Sequence, residues 1–191
     1  RKNLINKNNV KANAKIIGLM SNGFHSNGFS LIRKVLQYKK IPLGVKIQDL
    51  SSKSIGNLLI SPTKIYVNEI LPLIKKNYIA SIAHITGGGI FENIERAIPK
   101  NLMAIIETKG FKIPKLFSWF REQSKISINE MLNTFNCGIG MVLIINKSNE
   151  EFVLKYLNKN KIKFSNIGYI GVKKDHSKSV LIKKFGEWNL R

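Results

Sequence analysis

Two short segments each combine a histidine, a hydroxyl side chain and glycines beside an apolar run. Residues 21–28 read Ser-Asn-Gly-Phe-His-Ser-Asn-Gly after the run 15–20, and residues 84–89 read His-Ile-Thr-Gly-Gly-Gly at the end of the run 80–85. Each is followed by apolar residues at helical spacing, so each predicts a strand, a loop and a helix. Helix N-termini favour anions, and glycines let a phosphate approach the backbone. A histidine there can hydrogen-bond that phosphate or move a proton.

Each segment also has a simpler explanation. A glycine-rich turn between a strand and a helix can be only a tight connection, and His84, on an apolar strand, can be a satisfied core group. Two such loops in one small chain, each with a histidine, favour anion binding. Neither has the Gly-Lys-Ser/Thr of a P-loop or the G-x-G-x-x-G of a dinucleotide site. Ser26 or Asn27 is the expected N-cap of the first helix.

A third segment, residues 135–140, reads Phe-Asn-Cys-Gly-Ile-Gly and joins a helix to a strand. Asn136 could hydrogen-bond a ligand or simply close the turn. Cys137 has no evident local base, which favours a small buried thiol over a nucleophile. The third histidine, His176, lies in a polar stretch and is expected at the surface.

Composition narrows the class of protein. The chain has 191 residues, 43% of them hydrophobic, which fits one globular domain. A single cysteine excludes an internal disulfide framework and a cysteine-rich zinc site, and it fits a cytoplasmic protein. No apolar run approaches the roughly 20 residues of a membrane span. Carboxylates do not cluster, so no metal site is expected in this chain. The absence of a starting Met suggests a piece of a longer protein.

The net charge of +21, from 32 basic and 11 acidic residues, permits a nucleic-acid-binding role. Only five of the basic residues are Arg, whereas 27 are Lys, beside 29 Ile and 21 Asn. These three abundant types share AT-rich codons, and the lysines are scattered. Codon composition is therefore the favoured explanation, and a nucleic-acid partner is not expected. A basic surface would still attract anionic substrates.

Strand and helix patterns alternate along the chain. The strands are expected at 15–20, 80–85, 103–107, 140–145, 167–172 and 180–182. The helices are expected from 29, from 62–63 with a kink at Pro72, and at 91–98, 114–123, 128–135 and 150–158. Residues 39–57 are expected to form a loop with one short helix. This order predicts an α/β (α+β) fold, a single domain with a mixed sheet of about 5–6 strands covered by helices. We divide the chain into a lead-in (1–14), a domain (15–183) and a tail (184–191).

Four motifs resemble one known family. They are GLMSNGFHSNGFSLIRK at 18–34, PTKIYV at 62–67, AHITGGG at 83–89 with ENI at 92–94, and TFNCGIGM at 134–141. In this order and spacing they closely resemble the C-terminal half of aminoimidazole ribonucleotide synthetase, also called phosphoribosylformylglycinamidine cyclo-ligase. The resemblance covers roughly residues 10–182. At Asn22 the family usually has a Ser, so the contact made there is expected to differ.

The resemblance implies a ligase of de novo purine biosynthesis. In this family, ATP activates the formyl oxygen of formylglycinamidine ribonucleotide, and a nitrogen of the same substrate closes the imidazole ring. The family enzyme is about twice as long as this chain and is a homodimer. Its N-terminal half supplies much of the ATP site, the Mg²⁺ ligands and the dimer interface. Nothing here resembles that half, so the isolated chain is expected to be inactive.

The resemblance also implies residue roles. His25 and His84 are the expected catalytic groups, which polarise the substrate or transfer a proton. The expected substrate- and phosphate-binding residues are Ser21, Gly23, Ser26, Asn27, Gly28, Thr86, Gly87, Gly88, Gly89 and Asn136. The alternatives are a sister enzyme of the same superfamily (the synthase of the preceding step, or a selenophosphate or thiamine-phosphate enzyme) and a basic nucleic-acid-binding module. The HSNG sequence at 25–28 and the TFNCG sequence at 134–138 argue against the sister enzymes.

Overall fold

The computed structural model describes residues 4–188, which form one six-stranded mixed sheet with helices on both faces. The strands are β1 (Lys15–Met20), β2 (Ser81–His84), β3 (Leu102–Glu107), β4 (Ile139–Ile145), β5 (Phe164–Val172) and β6 (Val180–Lys184). Their order is β2-β4-β1-β5-β3-β6, and only the β3–β6 pair is parallel. The predicted fold class is confirmed.

Seven helices connect these strands. They are α1 (Phe29–Tyr38), α2 (Ile55–Leu59), α3 (Val67–Lys75), α4 (Gly89–Arg96), α5 (Lys115–Ser124), α6 (Ile128–Thr134) and α7 (Glu150–Lys159). Short 3₁₀ turns lie at Lys7–Asn9 and Lys147–Asn149. Helices α1, α2, α4, α5 and α6 contribute to the larger hydrophobic core, whereas α3 and α7 contribute to the smaller one.

Strand β4 is buried on both faces, since all seven of its residues are inaccessible or nearly so. Val142 and Ile144 belong to the larger core, and Leu143 and Ile145 belong to the smaller one. Successive side chains of a strand point to opposite faces, so a continuous apolar run is the pattern expected for a strand covered on both sides. On the same face as Leu143, the β5–β3–β6 half of the sheet is less covered: Tyr169 is 39% and Leu181 41% exposed.

Strands β1 and β2 run in the same direction because both pair antiparallel with β4, which lies between them. Met20, the last residue of β1, pairs with Ile139 at the start of β4, and His84, the last residue of β2, pairs with Met141. The carboxyl ends of β1 and β2 therefore meet at one edge of the sheet. All three glycine-containing segments lie at that edge.

The helix expected to start at Pro62–Thr63 begins later, at Val67. Residues 62–66 instead make contacts with the loop after β1, where the Asn22 amide donates to the Pro62 carbonyl at 3.0 Å. Those contacts outweigh the local helical preference of this stretch. Pro72 lies inside α3, in a helix of only nine residues.

The expected N-cap of α1 is wrong. Gly28, in the left-handed region at φ 69°, occupies that position and makes no side-chain cap hydrogen bond. The Asn27 amide instead donates to the His25 carbonyl at 2.9 Å, so its side chain stabilises the loop rather than the helix. Strand β5 also begins earlier than expected, because Phe164, Ser165 and Asn166 pair with β1 although two of the three side chains are polar.

Both terminal segments pack on the domain. In the lead-in, Val10 and Ala14 are buried. In the tail, Phe185 is 4% exposed, and Glu187 exchanges backbone hydrogen bonds of 2.9–3.1 Å with Phe111 and Ile113. Residues 1–3 of the lead-in and 189–191 of the tail lie outside the described residues.

Among residues 4–188, no helix is both long enough and apolar enough to cross a membrane.

Candidate active site

The start of β4 ties the two histidine-containing loops together. The Ser21 N–H donates to the Gly138 carbonyl at 2.9 Å, and the Ile85 N–H donates to the Gly140 carbonyl at 3.0 Å. Loop 21–28 and loop 84–89 are thus held on either side of segment 135–140. The structure brings together the three segments that the sequence singled out.

Loop 21–28 is anchored by Phe24, which is 1% exposed and packs against the rings of Phe117, Phe120 and Phe135. Directly after it the backbone adopts uncommon conformations, since His25 and Ser26 have φ values of 53° and 60°. These conformations turn Ser26 outward, where it is exposed. A buried aromatic anchor therefore presents a short polar loop to solvent.

Asn136 is completely buried and holds loop 21–28 in place through hydrogen bonds. Its side-chain oxygen accepts hydrogen bonds from the Ser21 hydroxyl at 2.8 Å and from the Gly138 N–H at 2.9 Å. Its amide donates to the Gly23 carbonyl at 2.9 Å. Of the two roles that the sequence left open, these bonds show that Asn136 closes the turn, and they also link it to loop 21–28. The Ser21 hydroxyl is part of the same hydrogen-bond network.

His25 is buried, with 5% of its surface exposed. Its Nε2 lies 2.6 Å from the Asn22 side-chain oxygen, and the backbone N–H groups of Asn22 and Lys64 donate to the same nitrogen at 3.3 and 3.4 Å. Burial, and next the charges of His84 and Lys64, lower the pKa of His25 to about 4. His25 is therefore neutral at pH 7. Its Nδ1 is buried with no hydrogen-bond partner among the described residues.

Tyr66 lies between the two histidines, with ring centroids 6.2 Å from each. It is 3% exposed, and its hydroxyl donates to the Met20 carbonyl at 2.9 Å, at the end of β1. Burial, followed by the nearby Glu69 carboxylate, raises the pKa of Tyr66 well above its usual range, so the phenol stays protonated. Gly140 makes this arrangement possible, because a Cβ there would collide with the Tyr66 hydroxyl and the His25 ring.

His84 is exposed, unlike His25. It is the last residue of β2, and its partner in the sheet is Met141. The alternative of a satisfied core histidine therefore does not describe His84. An accessible imidazole beside two glycine-containing loops can donate or accept a proton from a bound molecule.

Loop 84–89 is organised by Asn93, a residue of α4 that is 8% exposed. The Asn93 amide donates to the Gly87 carbonyl at 3.1 Å and to the Gly89 carbonyl at 2.7 Å. Its oxygen lies 3.4 Å from the Thr86 hydroxyl, which donates to it. Gly89 has no room for a side chain, because a Cβ there would collide with the Leu132 carbonyl of α6. Gly87 is exposed and its neighbourhood is open.

The two loops differ in electrostatics. The Glu92 carboxylate lies in the first turn of α4, close to Gly88, and pairs with Arg96 at 3.7 Å. An anion at the N-terminus of α4 would be repelled by the negative charge of this carboxylate. The first turn of α1 carries no acidic residue. Loop 21–28 is therefore the better of the two for a phosphate.

Cys137 is fully buried, and its thiol donates to the Met131 carbonyl at 3.4 Å. Burial raises the pKa of this thiol, which makes it a poor nucleophile. Within the part of the chain that the structure describes, no three His, Cys, Asp or Glu side chains come together as a metal site would require.

Residues 11–180 match the family described as AIR synthase related protein, C-terminal domain. The chain belongs to that family. A relative from Caldicellulosiruptor saccharolyticus, named phosphoribosylformylglycinamidine cyclo-ligase, is 46% identical over 162 residues, which are 84% of this chain and 48% of the relative. This AIR synthase-related chain thus spans about half the length of that protein.

Two solved structures share the fold of this AIR synthase-related domain. Thiamine-monophosphate kinase from Stenotrophomonas maltophilia K279a superposes with a TM-score of 0.56 at 12% identity and covers 91% of this chain and 51% of its own. T. maritima PurL complexed with ADP superposes with a TM-score of 0.51 at 11% identity and covers 91% of this chain and 24% of its own. At these identities the likeness concerns the fold alone.

Sequence reasoning missed Tyr66 and Asn93 as site residues, although both lie within the quoted motifs. Tyr66 lies within the stretch that the sequence predicts as helix from Pro62–Thr63, and its position beside the histidines depends on the non-helical path of residues 62–65. Asn93 occupies a buried position of an amphipathic helix, where a polar residue needs partners. That single polar residue on the apolar face of α4 was the available signal.

Proposed function

We propose that this AIR synthase-related domain is the C-terminal half of a cytoplasmic phosphoribosylformylglycinamidine cyclo-ligase. The observation that carries the proposal is the 46% identity to a relative of that name over 84% of the chain. The convergence of loops 21–28 and 84–89 on segment 135–140 supports it, because the shared motifs meet at one accessible place.

The reaction needs an anion site and a proton carrier. The formyl oxygen of formylglycinamidine ribonucleotide attacks the γ-phosphorus of ATP and ADP leaves; a nitrogen of the substrate then attacks the activated carbon and phosphate leaves. The attacking nitrogen loses a proton in this step. We assign His84, which is exposed at the rim of the site, as the general base that accepts this proton.

The other predicted site residues divide by accessibility. Ser26 and Gly87 are exposed and are proposed to contact the substrate or the transferred phosphate, with Asn27, Gly28, Thr86 and Gly88 beside them. Ser21, Gly23, Gly89 and Asn136 support the backbone of the two loops through the bonds and close packing described above. His25, which is buried and neutral, is proposed to position loop 21–28 rather than to transfer protons itself.

ATP and Mg²⁺ are implied by the family. The described residues do not fit a Mg²⁺ ion, which prefers carboxylate oxygens, because no acidic cluster is present among them. We therefore derive no step through the metal and assign its ligands, much of the ATP site and the homodimer interface to an N-terminal half. The neighbour that was solved with ADP is consistent with ATP as the co-substrate.

The test is a turnover assay on the protein that carries both halves. Formylglycinamidine ribonucleotide and ATP should yield ADP, phosphate and aminoimidazole ribonucleotide. His84→Ala should lower kcat by about 10²–10⁴-fold, the range for loss of a general acid or base. Because His84 is exposed, the melting temperature should change little.

His176→Ala is the matched control, since His176 is also exposed but lies in the turn before β6, and it should leave kcat unchanged. Turnover of thiamine monophosphate instead would favour the sister-enzyme alternative. Full activity of His84→Ala would contradict the role of His84.

A further inference from the structure

A cavity of ≈ 580 Å³ opens at the carboxyl end of β1, on the side of loop 21–28 that faces α3 and α7. We call it the basic cavity. It is lined by Met20, Ser21, Asn22, Lys64, Asn68, Glu69, Tyr156, Asn160, Lys161, Ile162 and Lys163. Its volume falls in the range of pockets that hold small molecules, roughly 300–1,000 Å³.

The charge of this cavity is unbalanced. Its one carboxylate, Glu69, already pairs with Lys64 at 2.9 Å. Neither Lys161 nor Lys163 forms an ion pair with a carboxylate within residues 4–188. The lining therefore includes two lysines without a carboxylate partner, together with three asparagines, Asn22, Asn68 and Asn160.

These two lysines stand on an ordered turn. The Lys161 N–H donates to the Asn158 carbonyl at 3.0 Å, and the Ile162 N–H donates to the Leu157 carbonyl at 3.0 Å. The Lys163 carbonyl accepts from the Met20 N–H at 3.1 Å. The turn is thus fixed to the last residue of β1, directly before the loop that the proposed function assigns to substrate binding.

The cavity is continuous with that loop. Ser21 and Asn22 line it, and the Asn22 side chain also contacts His25 and the Pro62 carbonyl. A molecule that places an anionic group between Lys161 and Lys163 can therefore reach loop 21–28 with its neutral part. The lining combines asparagine amides with Met20, Tyr156 and Ile162, so it offers hydrogen-bonding groups to the hydroxyls of a sugar.

We propose that the basic cavity binds the phosphate monoester of a sugar phosphate, with Lys161 and Lys163 as its cationic ligands. This rests on the proposed function, in which the substrate is a ribonucleotide, and it assigns the phosphate of that substrate to two lysines that lie outside the four family motifs.

A simpler explanation has to be tested beside it. Lysines are abundant in this chain, and a lysine after a helix stabilises the carbonyl end of that helix. Lys125 provides a matched case: it follows α5 with φ 59°, as Lys161 follows α7 with φ 55°. Lys39 and Lys125 line a different cavity, of ≈ 680 Å³, between the ends of α1 and α5.

The experiment is a calorimetric titration of the 191-residue chain with ribose 5-phosphate, inorganic phosphate and ribose at about 0.15 M NaCl, where distant charges are screened. Ribose 5-phosphate should bind saturably, more tightly than inorganic phosphate, and ribose should not bind. Lys161→Gln/Lys163→Gln should weaken binding about tenfold or more, as expected for the loss of charged hydrogen bonds. Lys39→Gln/Lys125→Gln removes the same charge and should leave the affinity within about twofold, since screened distant charges matter little.

Equal losses in the two double variants would overturn the proposal, because the net charge alone would then explain binding. No saturable binding to the unmodified chain would also overturn it, and inorganic phosphate binding as tightly as the sugar phosphate would reject a sugar-phosphate site. All four lysines are exposed, so these substitutions should not disturb the core. If the Lys161→Gln/Lys163→Gln variant unfolds, the single variant Lys163→Gln provides the test instead. It should then show part of the same loss, and an unchanged affinity would count against the proposal.

The titration uses no ATP and measures no turnover. Sugar-phosphate binding in an intact protein without cyclo-ligase activity would therefore refute the proposed function and leave the phosphate site standing. Cyclo-ligase activity of the intact protein, without sugar-phosphate binding by this chain, would refute the phosphate site and leave the proposed function standing.

Discussion

At the scale of single residues, the two histidines of the site differ in burial, and burial decides what each can do. His25 and His84 lie on either side of the Tyr66 ring, yet His25 is 5% exposed whereas His84 is exposed. A buried imidazole resists protonation because its charged form loses solvation. Of the two imidazoles, only that of His84 is accessible to a bound molecule.

The lowered pKa of His25 predicts a stability that depends on pH. In the unfolded chain its pKa is near 6.5, and in the folded chain it is about 4. Between these values the unfolded state binds more protons, so the free energy of unfolding falls as pH decreases from 6.5 to 4. The slope contributed by this group is at most about 1.4 kcal/mol per pH unit.

The measurement is urea unfolding from pH 7 to pH 4.5 for the unmodified chain and for His25→Gln. The variant should lose this part of the pH dependence, because glutamine does not titrate. His176→Gln, which removes an exposed histidine, should retain it. Identical slopes for the unmodified chain and His25→Gln would show that His25 is protonated normally in the folded state.

At the scale of elements, the site depends on how closely helices approach one another behind the loops. Helix α1 begins directly after Gly28, whose φ of 69° and lack of a side chain allow the Phe135 ring to pack against it. A Cβ at this position would collide with that ring. The same requirement holds where Gly89 meets α6. Glycines in both loops therefore serve packing, besides any contact with a ligand.

We expect Gly28→Ala to lower the free energy of unfolding by about 2–4 kcal/mol, from the left-handed conformation and the collision with Phe135 together. Gly44→Ala is the control: Gly44 has no neighbour within 4 Å of the added Cβ and no positive φ. Its effect should lie within about 0.5 kcal/mol, as for exposed sites in general. Chemical unfolding of the three proteins measures both values, and equal stabilities would mean that the loop rearranges without cost.

At the scale of the whole molecule, the dominant feature is the net charge of +21, against which the described residues form only four ion pairs. Like charges over one small domain repel one another and destabilise the compact state. The high Lys content therefore has a cost in stability whether or not the charge serves substrate binding.

Screening that repulsion should stabilise the fold. Raising NaCl from about 0.02 M to about 0.3 M at pH 7 should increase the melting temperature by a few degrees, because the screening length shortens severalfold. Near pH 10, close to the isoelectric point of about 10.2, the same addition should have little effect. Scanning fluorimetry measures both, and a melting temperature that falls with salt at pH 7 would contradict this account.

The sequence by itself determined the fold class, the six strands and the segments that form the site. Apolar runs such as 139–145 leave few alternatives to a strand covered on both faces, and glycines beside histidines identify the loops. These are local properties, set by the chemistry and spacing of neighbouring residues. Family motifs added the expected activity, because they repeat an order of residues that chance does not produce.

Only the tertiary structure decided which of these residues reach solvent. Burial of His25, exposure of His84 and the non-helical path of residues 62–65 all depend on contacts between distant segments. Asn22 and Pro62 are 40 positions apart, and Ser21 and Asn136 are 115 positions apart. The basic cavity likewise joins residues from β1, α3 and the turn after α7. Such contacts form only when the strands pair, and no local pattern records them.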